Sequence, residues 1–441
     1  MAMVVKNNMS AISTLNTLNK NSSALSKSLA KVSSGMKINN AADDASGYAI
    51  SERMRVQIRG LDQANSNTQN GSSMMKVAEG AVSSTVDILK TLKEKVINAA
   101  NDSNTDADRQ TIQKELDQSI DQIDDNANVT FNGKYLIDGS KNTVGSATYT
   151  ALTNQSLDVK TIGTSKLTDL KSRSGDKLEI ATTDKVTVSY VAGGKTYTTT
   201  FSVAGNTTLD SIFAEAEQAN TKDTIFKATT VTSTSSTIGT AASGAKVHTA
   251  DGKSAITILA GTSGVSGQIS GLTISITDQS GNVKKSANAS LDAFNETIRA
   301  QNKSADNAIT LQVGTKANQS IKVGLTDMRS EALGLKGSDG TKLNISTQAK
   351  ANAAINVLDT AVQKALDQQT TIGAVESRLE YTSSNLTTAS ENVQSSESTI
   401  RDADMAKEMT EYTKNNVLLQ AAQSMLSQAN QNSSSVLSLL K

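Results

Sequence analysis

The sequence predicts a chain that is mainly α at both ends: long antiparallel coiled-coil helices formed by the N- and C-terminal segments, around a central inserted α+β, β-rich outer domain. Three observations carry this. There is no Pro in 441 residues, although about 5% is usual, so nothing forces a kink into a long helix. Apolar residues recur every seven positions in two stretches far apart in the chain. Between those stretches the composition shifts to Thr, Ser and Gly and the pattern alternates like strands.

From Met54, every seventh residue reads Met54, Leu61, Thr68, Met75, Val82, Leu89, Val96. Positions three further on read Gln57, Ala64, Gly71, Ala78, Thr85, Leu92, Ala99. Near the C-terminus the series is Leu358, Ala365, Ile372, Leu379, Leu386, Val393, Ile400. A seam kept beyond three or four heptads marks a coiled coil. About 50 residues rising 1.5 Å each give a helix of roughly 75 Å. A shorter helix follows, with Ile112, Leu116, Ile120, Ile123 and Ala127 on one face, stopped by the turn residues Asn132-Gly133.

The outer ends carry their own stripes. Leu18, Leu25, Leu29, Val32 and Met36 share one helical face; so do Leu418, Ala422, Met425 and Ala429, with Val436, Leu437 and Leu440 at the tip. Free ends fray by default. Stripes this long are expected to order against partners and to be poorly ordered in a lone monomer. The domains expected are residues 1–43 with 402–441 as an inner coiled coil, 44–140 with 305–401 as a helical rod bearing a β-hairpin, and 141–304 as a surface-exposed insert of one or two subdomains.

Within the insert, Val186–Val191 and Tyr197–Val203 flank Ala192-Gly193-Gly194-Lys195, a β-hairpin signal. A short helix is expected with Leu209, Ile212, Phe213 and Ala216 on one side, and strands over Ala255–Leu259 and Leu272–Thr277. A second helix is expected around Leu291, Phe294 and Ile298, then a hairpin from Ile309–Val313 and Ile321–Leu325. The low-complexity run from Thr229 to Gly244 reads as a loop.

Several function classes are excluded. Lys plus Arg and Asp plus Glu number 43 each, so no basic excess invites nucleic acid or an acidic membrane. No stretch approaches the roughly 20 apolar residues of a membrane span. Met1 to Asn8 lack the apolar core of a cleavable signal, so export is expected by a route that reads none. Without Cys there is no disulfide, thiolate nucleophile or Cys-based metal site. The single His, His248, lies in a Gly/Ser/Thr-rich stretch and is expected to be exposed. No catalytic residue, cofactor site or metal site is expected. Asp43-Asp44 reads as the cap of the long helix, and Asp121, Asp124 and Asp125 read as a solvated acidic face lacking the ligand order of a calcium loop. Asn-x-Ser/Thr triplets such as Asn206-Thr207-Thr208 arise easily in so hydroxyl-rich a chain.

A family resemblance rests on particular runs. Leu29-Ala-Lys-Val-Ser-Ser-Gly-Met-Lys-Ile-Asn-Asn-Ala-Ala-Asp-Asp-Ala-Ser-Gly-Tyr-Ala-Ile-Ser-Glu-Arg-Met54 resembles the flagellin N-terminal signature. So do Arg59–Ala64, Ala78–Ala81 and Val129-Thr-Phe-Asn-Gly133. Ala332–Leu335, Ile372–Leu379, Ile400–Asp404 and Val436–Leu440 resemble the C-terminal part of the same family. The resemblance spans about 1–140 and 308–441. It implies a structural, extracellular subunit that polymerises with itself into the flagellar filament. The ends would line the channel, the rods would form the next shell and the insert would face outward. It also implies export unfolded by the flagellar type III route and folding under a cap. An export chaperone would hold Met405–Lys441, and filament-cap and hook-associated proteins would be partners. Absence of Cys and Pro suits that route, since nothing covalent or isomeric delays refolding.

Two departures stand out. The tip lacks the Pro that often follows Ala-Asn-Gln in the family; here Ala429-Asn430-Gln431 runs into Asn432. Flagellins sensed by the vertebrate toll-like flagellin receptor resemble L-Q-R-V-R-E-L-A-V on the first rod, where this chain reads Leu89-Lys90-Thr91-Leu92-Lys93-Glu94-Lys95-Val96-Ile97. Thr91 replaces an Arg and Lys95 a Leu. A hydroxyl cannot replace a planar five-donor guanidinium, so weak or absent activation is expected. The strip Lys90, Thr91, Glu94 and Lys95 also suits an axial contact between subunits. Two alternatives remain: a hook–filament junction protein built on the same frame, and an adhesin whose insert binds a surface ligand.

Overall fold

The computed structural model describes residues 8–220, 225–227 and 236–439. Seven α-helices are seen among them: α1 (Met9–Ser34), α2 (Ala45–Ala99), α3 (Asp106–Ala127), α4 (Leu209–Asn220), α5 (Lys285–Leu291), α6 (Gln348–Arg401) and α7 (Met405–Leu439). The chain divides into two compact units. One comprises 1–69, 312–320 and 381–441; the other comprises 70–311 and 321–380.

In the first unit, α1 pairs with α7, and the first half of α2 runs beside the last third of α6. The described parts of both ends are helical, and α1 lies against α7. Asp44 caps α2 by accepting from the backbone N–H groups of Ser46 and Gly47, both at 3.0 Å. It thereby satisfies two of the donors that every helix start leaves open.

In the second unit the seam is dry. Met75, Val82, Leu89, Val96, Leu358, Ile372 and Leu379 are fully buried. Thr85, inside the same seam, is buried because its hydroxyl donates to the carbonyl of Ala81 at 3.0 Å, so no polar group is stranded. Gly71 of α2 leaves room for Leu311: a Cβ there would lie 2.6 Å from a Leu311 methyl. α3 starts with a reciprocal capping box between Thr105 and Asp108.

The acidic face of α3 is solvated only in part: Asp125 is exposed, but Asp121 and Asp124 have partners. Asp124 accepts from the backbone N–H and hydroxyl of Ser330, each at 2.8 Å, and Asp121 pairs with Lys342 at 2.7 Å. The partners lie on a loop far along the chain, where no local pattern announces them.

Thirteen strands are seen among the described residues: β1 (Thr130–Phe131), β2 (Lys134–Tyr135), β3 (Ala151–Asn154), β4 (Lys185–Ala192), β5 (Lys195–Ser202), β6 (Phe226–Lys227), β7 (Thr237–Thr240), β8 (Lys246–His248), β9 (Ile256–Ala260), β10 (Ile269–Thr277), β11 (Phe294–Ile298), β12 (Ile309–Gln312) and β13 (Ser320–Val323). They form antiparallel sheets in the orders β10-β4-β5 and β11-β3-β9-β6, with two-stranded pairs β1-β2, β7-β8 and β12-β13. Tyr190, Phe213, Phe226 and Phe294 meet in the core of the insert; Tyr190 stands edge-on to Phe226 at 5.0 Å between ring centres. The outer edge of β10 is clipped by side chains, since Asp292 and Asn288 accept from the backbone N–H groups of Ile274 and Ile276. An edge so occupied is closed to strand pairing.

Two expectations for the insert are corrected. The second helix ends at Leu291, and Phe294–Ile298 is strand β11 paired with β3. Spacings of three and four fit a helix face, but the β-branched Thr297 and Ile298 favour a strand. The run read as a loop from Thr229 to Gly244 contains strand β7 from Thr237, paired with β8; Thr229 to Ser235 lie outside the described residues.

Candidate assembly surface

The α1–α7 pair is the feature of the first unit with the least interior. Antiparallel pairing is fixed by polar contacts whose two positions run in opposite directions. Asn8 donates to the carbonyl of Ala429 and Asn21 to that of Leu418, both at 3.2 Å; Asn415 donates to the hydroxyl of Ser28 at 3.0 Å, and Lys31 meets Glu408 at 3.7 Å. Only the small Ser28 and Ala422 are buried along the described part of the pair. Leu18, Leu25 and Val32 are half-buried.

The large apolar side chains point elsewhere. Leu29 is 51% exposed, Val417 57%, Met425 62%, and Ile12, Leu15, Met409 and Leu418 are exposed as well. Single exposed apolar residues are ordinary on a protein surface, but contiguous ones mark an interaction face. Met409, Val417 and Leu418 line an open groove on α7 with Thr410, Thr413 and Lys414. Leu437 lies within α7 with its side chain outside the described residues, and Leu440 is outside them altogether.

The turn between the terminal pair and the longer helices is tightly bonded. Gly35 ends α1 at φ 70°, a left-handed conformation that glycine adopts without strain. Its carbonyl accepts from Ala403, and Lys37 donates to the carbonyl of Arg401 at 2.7 Å. The buried Arg401 guanidinium donates to Glu52 at 2.6 Å and lies 5.4 Å from the centre of the Tyr48 ring. This pairing holds the Glu52 carboxyl below its usual range, by the Arg401 hydrogen bond first. Sequence reasoning missed Asn8, Asn21, Asn415 and Arg401. Each sits among other polar residues, so no local signal marked it.

The seam positions divide by unit. Besides the fully buried residues of the second unit, Leu61 is buried in the first, whereas Met54, Leu386, Val393 and Ile400 are half-buried. There the helices are tied by polar pairs instead: Arg55 to Glu397 at 3.0 Å, Asp62 to Ser390 at 3.0 Å and Asn65 to Ser383 at 2.7 Å. Lys90, Thr91 and Glu94 are exposed and Lys95 half-exposed on α2. Lys95 pairs with Glu115 at 2.6 Å, Lys90 with Asp87 at 3.3 Å, and the Thr91 hydroxyl donates back to the carbonyl of Asp87. His248 is exposed at the end of β8, its Nδ1 3.3 Å from the Thr237 hydroxyl.

The sequence matches a known family at both ends. The model of the bacterial flagellin N-terminal helical region matches residues 5–142, and that of the C-terminal helical region matches residues 355–440. A flagellin of Clostridium tyrobutyricum is 34% identical over 431 residues, covering 97% of this chain and 99% of its own. The chain belongs to the bacterial flagellin family. A flagellin of Bacillus subtilis (strain 168) is 30% identical, with both chains fully covered. Among solved structures, FliC from Burkholderia pseudomallei is 17% identical at a TM-score of 0.26, covering 70% of this chain and 99% of its own. Flagellar hook associated protein-3 from Legionella pneumophila is 14% identical at 0.32, covering 78% and 97%. This flagellin is a structural subunit of the extracellular flagellar filament, not an enzyme.

Proposed function

We propose that this flagellin polymerises by packing α1 and α7 against the terminal helices of neighbouring copies. It would be exported unfolded by the flagellar type III route and folded at the filament tip. The observation that carries the reading is the α1–α7 pair, which among the described residues buries only Ser28 and Ala422 and leaves Leu29, Val417 and Met425 uncovered. Burying such faces against another chain is favourable. Head-to-tail contacts that do not close give a helical polymer. Ordering costs roughly 1–2 kcal/mol of backbone entropy per residue, so many contacts must form together and growth needs a seed or tip. On this reading residues 1–43 and 402–441 line the channel, 44–140 and 305–401 form the next shell, and 141–304 face outward. Before export, a chaperone holds the apolar face of about Met405–Lys441; filament-cap and hook-associated proteins are the other partners.

Electron microscopy of subunits given filament seeds in precipitating salt tests this. The full chain should grow tubes, and a version lacking residues 1–43 and 402–441 should not. Tubes from the truncated chain, or none from the full chain, would overturn the assembly reading. We further propose weak activation of the vertebrate toll-like flagellin receptor, because Thr91 and Lys95 replace the Arg and Leu of sensed flagellins. Strong activation of a receptor reporter by purified monomer would refute this.

A further inference from the structure

We propose that the methionine sulfurs of α1 and α7 are sites of reversible oxidation by peroxides, and that a sulfoxide there keeps an unassembled subunit out of the filament. The second half rests on the assembly reading above. The chain has 11 methionines, and those described sort by place in the fold. Met74, Met75 and Met328 are buried, at 8%, 0% and 2% exposure. Met36 and Met54 are half-buried, and the Met36 sulfur accepts from the Arg55 guanidinium at 3.9 Å. Met9, Met405, Met409 and Met425 all lie on the terminal helices, at 69%, 43%, 45% and 62%. The chain has no cysteine to compete for the oxidant.

The step balances without a cofactor. A sulfur lone pair attacks one peroxide oxygen, the S–O bond forms as the O–O bond breaks, and the other oxygen leaves as water once protonated. Sulfur is oxidised by two electrons and the peroxide is reduced by two. Access sets which thioethers react, and a reductase restores the product. The product is a polar oxygen on what was an apolar, adaptable side chain. On α7 that oxygen would stand in the groove shared by Met409, Val417 and Leu418. The cation lining that groove, Lys414, already meets Glu411 at 3.5 Å. Covering such an oxygen with another helix is unfavourable unless a donor is brought to meet it, and the Thr410 and Thr413 hydroxyls of the groove already donate to their own helix. Assembly would hide the same four sulfurs, so oxidation discriminates between free subunit and finished filament.

The experiment exposes folded full-length subunits to hydrogen peroxide, maps sulfoxides by peptide mass spectrometry and measures seeded growth. Oxygen should appear first at Met9, Met405, Met409 and Met425, with Met74, Met75 and Met328 spared, and helix content should be unchanged. The subunit concentration needed for growth should rise about tenfold or more. A chain carrying M9L, M405L, M409L and M425L should grow normally and lose this sensitivity, and methionine sulfoxide reductase should restore the treated wild type. Equal reaction of buried and terminal methionines overturns the site assignment. Normal growth of a chain oxidised at the four positions, or continued sensitivity of the leucine variant, overturns the consequence. Failure of the untreated chain to grow overturns the assembly reading and the consequence with it, while the sulfoxide map still decides the sites.

Discussion

Arg109 of α3 donates through Nε to the main-chain carbonyl of Ala99, the last residue of α2, at 2.9 Å. The same guanidinium donates to the carbonyl of Asn101 at 3.1 Å and to Asp106 at 2.9 Å. A helix ends with carbonyls that have no partner of their own, and a 5% exposed side chain supplies one here. Arg109→Leu should therefore lower monomer stability by about 3 kcal/mol in thermal unfolding, because a buried acceptor loses a charged donor. Arg109→Lys should recover only part of it, since one ammonium cannot replace the planar fork. A loss below about 1 kcal/mol for the leucine variant, the ordinary worth of a single hydrogen bond, would mean that water serves these carbonyls equally well.

Glu296 and Lys364 form an ion pair 4% and 8% exposed, with Nζ and the carboxylate 3.6 Å apart, too long for a hydrogen bond. Desolvation raises Glu296 above its ordinary 4.5 and depresses Lys364 below its ordinary 10.5. The folded chain holds the Glu296 proton at pH values where the unfolded chain has released it. Its contribution to stability is therefore greatest below pH 4.5 and falls as pH rises toward the folded value. For Lys364 the unfolded chain binds the proton more tightly, so stability rises with pH between the folded value and 10.5. The pair is thus costliest between the two folded values. Replacing both (E296L with K364M) should be neutral or stabilising by about 1–4 kcal/mol, whereas E296L alone should cost about 3–5 kcal/mol. The gain from the double variant should shrink in acid. Additive destabilisation at pH 7 would show that the pair supports the fold on balance.

The hairpin β4–β5 turns through Gly193 and Gly194, with φ of 56° and 74°. Two positive values in a two-residue loop define the turn that best matches strand twist. Beyond that shared need the two glycines differ. A Cβ on Gly193 meets nothing, whereas one on Gly194 would run into the carbonyl oxygen of Thr341. Gly193→Asn should be tolerated within about 1 kcal/mol, since Asn accepts the left-handed region. Gly194→Ala should cost more, and amide exchange should speed up over 193–195 and 337–341, where Lys195 pairs with Asp339 at 2.7 Å. Equal effects of the two substitutions would show that the loop yields easily.

How much of this was readable in advance follows from how far each signal reaches. The long helices were legible because a period of seven needs only side-chain identity along one segment. Gly193-Gly194 was legible for the same local reason. Phe294 and Ile298 were not, because spacings of three and four suit a helix face and a spacing of four also suits one side of a strand. Asp124, Arg401 and Gln113 were read wrongly or not at all, because their partners are remote. Gln113 donates to the carbonyl of Leu343 and accepts from the backbone of Ile345, 232 positions away. A polar residue that serves a distant backbone leaves no periodic trace. The terminal stripes were visible, but which of their residues stay uncovered depends on where α1 meets α7.

That distinction gives the sharpest test of assembly. Leu29 and Val417 sit outside the α1–α7 contact, at 51% and 57% exposure, whereas Ala422 sits inside it at 7%. An aspartate at an exposed helix position changes monomer stability by about 0.5 kcal/mol or less. In a polymer that buries the same position, an unpaired carboxylate must lose its water, which costs far more than a packed leucine gains. L29D and V417D should therefore leave helix content and thermal unfolding of the monomer unchanged while stopping seeded growth. Ala422→Leu should do the reverse first, forcing the two helices apart and lowering helix content before any seed is added. If L29D and V417D subunits lengthen seeds at the wild-type rate, the exposed faces of α1 and α7 are not where copies meet, and the assembly reading falls.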